Sequence, residues 1–410
     1  MSDTATTETG ERRAAEAGPR GERVRSDCWI GLTPELSGGV VLEVSSTVES
    51  TYGRSIRALC EQGARALGIE HARIRVEDGG ALPFVLMARL EAAARRALGG
   101  LEARWLPECA QACREPARRE RRRRSRLYLP GDQPKYMTNA GLHVPDAVIL
   151  DLEDSVPPGA KDTARILVRN ALRQVDFRGA ERTVRINPGS LGLTDIDELA
   201  DENVHLILIP KVESAEEVRA VDARLRERTE SAVYLMPIIE SSRGVMCASE
   251  IAAACERVVA VTIGLEDYTA DVGVPRTEEG RESLWARSMI VNAARAAGVQ
   301  AIDSVFSDVA DTVGLRRSVL EAKALGFEGA GCIHPRQVRV VHEAFDPTPE
   351  EVLRARQIVC AFREASEHGL AVVSLGSKMI DPPVVERALK TVAQAVESGL
   401  LAADWEESGD

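Results

Sequence analysis

The stretch Ala147-Val-Ile-Leu-Asp151-Leu-Glu153-Asp154 is a short apolar run that ends abruptly in carboxylates. A polar, helix-length segment follows, and the pattern returns at Thr183–Asn187 and at Leu206–Pro210. Continuous apolar strands alternating with amphipathic helices are the mark of parallel β/α units buried on both faces. Outward from this stretch the rhythm takes in Leu127–Leu129, then Val233–Glu240, Val258–Gly264, Ala301–Val305 and Ala330–His334. Eight units in about 210 residues fit a closed (β/α)8 TIM barrel better than an open doubly wound α/β sheet. No GxGxxG follows the first strand and no GxxxxGK(S/T) occurs, so nucleotide-binding fingerprints are missing.

The barrel is expected over residues 125–340, with 341–410 as a C-terminal helical extension or lid. Before it, residues 24–98 read as a small α+β domain. Strand-like segments lie at Cys28–Leu32, Val40–Val44 and Ala72–Val76, and helices at Tyr52–Leu67 and Pro83–Ala97. Residues 1–23 read as a polar, disordered leader without a signal-peptide core. Residues 99–124 read as an Arg-rich linker, and eight arginines fall between Arg114 and Arg126. The run is either a solvated linker or a patch for an anionic partner.

With 410 residues, 44% of them hydrophobic, the chain can bury a sizeable core. Aromatics at 4% and a net charge of −12 argue against nucleic acid as a partner. No apolar run reaches membrane-spanning length. Eight cysteines without paired metal spacing point to free thiols in a reducing cytoplasm.

In such a barrel the chemistry sits at the C-terminal ends of the strands. Those ends carry Asp151, Glu153 and Asp154, then Arg185 and Asn187, then Lys211 and Glu213. Glu240, Glu266 with Asp267, Asp303 and Ile333-His334 complete the rim. Carboxylates without cysteine or clustered histidine suggest a hard cation, most plausibly Mg²⁺, with Glu240 and Asp267 as its natural pair. Arg185 would meet a substrate carboxylate as a planar fork. A metal and an arginine without a nucleophilic elbow suit enolate-forming C–C lyases. Blander readings stand beside these. Asp154 could be a helix N-cap, Lys211 a partner of Glu213, and His334 a backbone rather than a ring contact.

Arg126-Leu-Tyr128-Leu-Pro130-Gly131, Asp151-Leu-Glu-Asp-Ser155, Val184-Arg185-Ile-Asn187 and Pro210-Lys211 occur in order. Ile239-Glu240-Ser, Gly264-Leu-Glu266-Asp267-Tyr268 and Ile333-His334-Pro335 follow. The series resembles the citrate lyase β subunit, in the HpcH/HpaI aldolase and CoA-ester lyase superfamily. That resemblance implies a Mg²⁺-dependent lyase that cleaves a 3-hydroxyacyl thioester into an oxo acid and an acetyl thioester. It makes Glu240 and Asp267 the metal ligands and Arg185 the substrate-carboxylate arginine. It places Tyr128 and Lys135 near the thioester carrier, with Ile333 and His334 as further substrate contacts. Asp381 matches an acid/base that reaches a neighbouring subunit's site, which implies a homo-oligomer, a trimer or hexamer. Asn139 stands where the CoA-ester branch has a second lysine, which favours a protein-tethered substrate over free CoA.

The first block carries its own resemblance. Ser45-Ser-Thr-Val48-Glu49, Tyr52-Gly53, Val76-Glu-Asp78-Gly79-Gly80 and Ala88-Arg89-Leu-Glu91 resemble the acyl-carrier (γ) subunit of citrate lyase. This implies a dephospho-CoA-derived prosthetic group, a linker that lets the carrier swing, and a transferase (α) subunit as partner. The serine that bears the group in that subunit is replaced by Arg25, with Ser26 one place later. Either Ser26 takes the group with a one-residue shift, or the block only scaffolds. The acyl substrate is a citryl thioester on this reading, with malyl- or citramalyl-CoA or a non-catalytic scaffold as alternatives.

Overall fold

A computed structural model describes residues 13–367, 373–375 and 378–405. Eight strands, β5 (Ser125–Pro130), β6 (Ala147–Asp151), β7 (Glu181–Arg185), β8 (Leu206–Ile209), β9 (Tyr234–Ile239), β10 (Ala260–Ile263), β11 (Gln300–Val305) and β12 (Gly329–Cys332), close into a barrel. All neighbours pair in parallel, and β12 returns to β5. Every residue of β6 is buried, because helices cover one face and the barrel interior the other. Ile149, Leu208, Met236, Ile238 and Ile302 fill that interior, so the barrel is a packed core with a cavity only at its mouth.

Four strands precede the barrel: β1 (Ala15–Ala17), β2 (Cys28–Pro34), β3 (Val40–Ser46) and β4 (Ala72–Asp78), in sheet order β1-β2-β4-β3. Helices α1 (Glu49–Ala66) and α2 (Pro83–Leu98) complete this domain. Strand β1 lies inside the expected leader and pairs with β2, Ala15 opposite Leu32. Three residues are too few to show a period, so only the edge of β2 reveals it.

Helices α3 (Pro134–Met137), α4 (Lys161–Gln174), α5 (Gly189–Leu199), α6 (Ala215–Arg228), α7 (Ser242–Met246) and α8 (Ala248–Ala252) alternate with the barrel strands. They are followed by α9 (Leu265–Val272), α10 (Arg281–Ala297), α11 (Thr312–Leu325) and α12 (Pro335–Phe345). The last runs past the expected barrel end at residue 340.

Between the two domains the expected swinging linker is absent. Helix α2 packs along α4 of the barrel, and one hydrophobic core runs through both domains. In that seam Arg169, fully buried, donates to both oxygens of Glu91 at 2.8 and 2.7 Å and to Glu198 at 2.5 Å. The linker itself is held. Trp105 is buried in the space that Gly63 leaves, and its backbone N–H donates to Glu91 at 2.9 Å.

The solvated reading holds only for Arg114, Arg118 and Arg119, which are exposed; from Arg121 onward the run is half-buried or buried. Arg123 forms a buried fork with Glu181, both bonds 2.8 Å long, and Arg124 joins Asp146 and Asp346 at 2.9 Å. Arg122 also reaches Asp346, at 2.7 Å. These arginines close the N-terminal end of the barrel, using acids from three distant segments that no local window could pair with them.

The C-terminal extension is helical, α13 (Pro349–Glu367) against α14 (Pro382–Glu397), with a hairpin of β13 (Val373–Leu375) and β14 (Lys378–Ile380) between them. Lys390 bonds Glu328 at 2.9 Å and Ser398 bonds Asp346 at 2.9 Å. The far end of α14 is therefore anchored at the closed end of its own barrel, away from the mouth. No disulfide forms among the eight cysteines, and no described helix is long and apolar enough to cross a membrane.

Candidate active site

A cavity of about 460 Å³ opens at the C-terminal ends of the barrel strands. Its wall includes Tyr128 and Arg126 from β5, Asp151 from β6, Arg185 from β7, Glu240 after β9, and Glu266 and Asp267 from α9. Parallel register brings Asp151 beside Arg185. The Arg185 fork donates to both Asp151 oxygens, at 2.6 and 2.7 Å, and its third nitrogen meets Glu153 at 2.9 Å. Its guanidinium also lies 5.3 Å from the Tyr128 ring centre. Burial works against the charge, but the bonds and charge of Asp151 outweigh it and hold Arg185 above its usual range. These three bonds to two acids leave one N–H on each terminal nitrogen to meet a ligand.

Glu240 is buried, and Oε1 accepts the Lys211 N–H at 2.6 Å. To present that N–H, Lys211 adopts a left-handed backbone, φ 54°. Gly264 is needed beside it, since a Cβ there would sit 2.5 Å from Glu240 Oε2. Burial, then the neighbouring negative charge of Asp267, push the Glu240 carboxyl up to about 8. Two carboxylates driven together in this way fit a cation, which would reverse the shift. No group of three or more His, Cys, Asp or Glu gathers as a metal cage among the described residues. A pair of acids with open positions suits Mg²⁺, which keeps water and substrate oxygens in its shell.

The structure redistributes the other rim residues. Lys211 pairs with Glu153 at 2.8 Å, not with Glu213, which instead accepts from Ser241. Asp154 is no N-cap; it is exposed on the cavity wall, 3.6 Å from both Arg185 and Lys211. Asn187 is turned to Asp195 by two 2.8 Å bonds, away from the cavity. Asp303 lines the cavity and is held by the Arg287 fork, a partner on α10 that carries no strand-end signal. Ile333 lines the cavity, but its N–H is committed to Gln337. The His334 ring caps α12, accepting from Arg336 N–H at 3.2 Å, and is absent from the cavity wall. Lys135 lies on α3 outside the wall, over the ring of Tyr136.

Asp381 is the N-cap of α14, accepting from Val384, and is not part of this cavity's wall. The Gly376-Ser377 part of its motif lies outside the described residues. Ser26 is half-buried with φ 57°, and its N–H donates to Gly79. Its neighbour Asp27 holds both arms of the Arg89 fork, which also reaches the Asp132 carbonyl just beyond β5. The carrier-like domain therefore touches the loop at the barrel mouth. The sequence reading gives Arg126 no site role, because a strand buried on both faces does not show which of its residues look inward.

Comparison with known proteins agrees with this geometry. Residues 124–335 match the HpcH/HpaI aldolase/citrate lyase family, and residues 21–97 match the malonate decarboxylase delta subunit, an acyl-carrier type. Citrate lyase subunit beta of Haemophilus influenzae is 38% identical over 286 residues, 68% of this chain and 98% of that protein. Human mitochondrial citramalyl-CoA lyase is 34% identical over 67% of this chain and 85% of its own length. Among solved structures, CitE of Mycobacterium tuberculosis in complex with magnesium, acetoacetate and coenzyme A superposes with a TM-score of 0.56. It is 31% identical and covers 67% of this chain and 98% of that one.

Proposed function

The chain belongs to the HpcH/HpaI aldolase/citrate lyase family of carbon–carbon lyases, and we propose that it cleaves a citryl thioester to oxaloacetate and an acetyl thioester. The observation that carries this reading is the convergence of Glu240, Asp267 and the pre-oriented Arg185 fork on one cavity. Glu240 and Asp267 would hold Mg²⁺, which supplies Lewis-acid polarisation of the hydroxyl and carboxylate oxygens of the acyl group. Arg185 grips the carboxylate on the carbinol carbon with its two remaining N–H groups. As the bond from that carbon to the α-methylene breaks, the hydroxyl loses its proton and the thioester enolate gains one. Asp381 from a neighbouring copy is the proton carrier, since its own chain holds it outside this cavity. That role requires a homo-oligomer, which we read as a trimer or hexamer.

Tyr128 and Ile333 border the acyl group, while Lys135 and His334, outside the wall, face the arm of the thioester. Ser26 is the attachment point for a dephospho-CoA-derived group. The Asp27–Arg89–Asp132 link supports delivery from a docked carrier without a swing, with a transferase (α) subunit loading it. A second reading, cleavage of free citramalyl- or malyl-CoA, is favoured by Arg25 in place of the family serine and by the fixed seam between domains. Mg²⁺-dependent acetyl-CoA release from citryl-, malyl- and citramalyl-CoA separates the two. Cleavage of citryl-CoA alone supports the first, and preference for either other substrate supports the second. Silence on all three, in the presence of Mg²⁺ and after chemical loading of Ser26, would overturn the lyase reading.

A further inference from the structure

Strand β5 enters the cavity with Arg126 and Tyr128 on the same face. Arg126 is 1% exposed, yet it lines the cavity. Its Nη2 has no hydrogen-bond partner among the described residues, and no ion pair to it is present among them. Acids nearby are already committed. Glu181 gives both oxygens to Arg123, Asp151 both to Arg185, and Asp303 both to Arg287. On the adjoining strand Gly331 stands in register with Arg126 and brings no side chain of its own; the apolar edges of Val305 and Tyr128 fill that space, and neither carries an acid for Arg126. A guanidinium does not shed its proton in proteins, so burial without a partner leaves a full positive charge facing the cavity. A charge held in that way is a site for an anion that the chain itself does not supply.

We propose that Arg126 is a second carboxylate-binding fork, and that it selects acyl groups whose carbinol carbon bears an additional carboxylate arm. This rests on the lyase reading above and deepens it. Arg185 takes the carboxylate attached directly to the carbinol carbon, and Arg126 takes the one at the end of the third substituent. A malyl group has hydrogen there and a citramalyl group a methyl; only a citryl-type group carries an anion to meet Arg126. The matching oxo-acid products are glyoxylate, pyruvate and oxaloacetate.

The test is binding of oxaloacetate and of pyruvate to the full-length protein with Mg²⁺, by calorimetry, without turnover. Hydrogen bonds to a charged group support a preference for oxaloacetate of about 10- to 100-fold. Arg126→Met should bring that ratio near one by weakening oxaloacetate alone, with pyruvate affinity and the melting temperature preserved. Arg126→Lys, which keeps the positive charge on a stem one bond shorter, should recover part of the preference. Equal binding of the two acids by the wild-type protein overturns the role of Arg126 and leaves the lyase reading intact. So does a ratio unchanged in both variants, or an equal loss for both acids, which would mark Arg126 as scaffold. Binding of neither acid overturns both.

Discussion

Two clusters of buried charge in this molecule are built from the same residue types and do opposite things. In the seam between the domains, Glu91, Arg169 and Glu198 answer one another with bonds of 2.5 to 2.8 Å. At the barrel mouth, Glu240 faces Asp267 with its carboxyl pushed up to about 8, and Arg126 faces nothing. Closed networks rigidify, because every group has a partner and any movement strands one of them. Open ones carry unpaid desolvation, and a ligand of opposite charge removes it. The difference teaches that burial of charge alone does not mark an active site; the incompleteness of its pairing does.

The sharpest way to break the comparison is at the metal pair. Glu240→Gln or Asp267→Asn should lower Mg²⁺-dependent turnover by about 1,000-fold or more while leaving the melting temperature within a few degrees. An Asp267→Asn protein with full Mg²⁺-dependent activity would refute the assignment. Next comes the seam, where Arg169→Met should cost about 3 kcal/mol in chemical denaturation, since Glu91 and Glu198 lose their fully buried partner and keep the part-exposed Arg95. Hydrogen exchange should then rise in α2 and α4 together; exchange confined to one helix would mean that the seam is not a unit. Arg185→Lys lies in between the two clusters. Its fold should survive, but turnover should fall by about 100-fold because a point charge cannot replace a fork that also braces Asp151.

The smallest effect expected is that of acid. Glu198, Asp146 and Asp346 are held below the usual carboxylate range, in each case because neighbouring arginines outweigh the opposing effect of burial. A lowered folded-state value means that the stabilisation is complete above the ordinary carboxylate range and is lost as pH falls through the folded value. Unfolding free energy should thus be flat near neutrality and fall as the pH drops below the ordinary carboxylate range. Arg124→Met, which removes the partner of Asp146, should shallow that slope; an unchanged slope would place the acid sensitivity elsewhere.

Much of the barrel was legible because each strand is a continuous apolar run closed by a polar residue. Ala147–Asp151 coincides with β6, and the other seven segments fall on strands within a residue or two at most ends. Rim chemistry was legible for the same reason, since a strand's last residue is by construction at the mouth. Glu240, Asp267 and Arg185 do line one cavity. Less was visible where the decisive partner is distant. Lys211 was read against Glu213, two residues away, but a left-handed turn swings it to Glu153. His334 stands at the right rim and spends its ring on capping α12. Arg126 was masked because a strand buried on both faces carries no amphipathic signal to say which parity looks inward.

By itself the amino-acid sequence determined the eight-unit rhythm, the small α+β block before it, and the residue types at the barrel mouth, because these follow from local periodicity and strand ends. Only the tertiary structure decided what each charge does. It turned an arginine run into the closed end of the barrel and locked a carrier-like block onto α4. It also left Arg126 buried beside the metal pair without an acid of its own. The physical reason is the same in the first two cases, and Arg126 is its converse, a charge with no partner among the described residues. A charge is defined by the partner that meets it, and those partners lie 29 to 224 residues away in the chain.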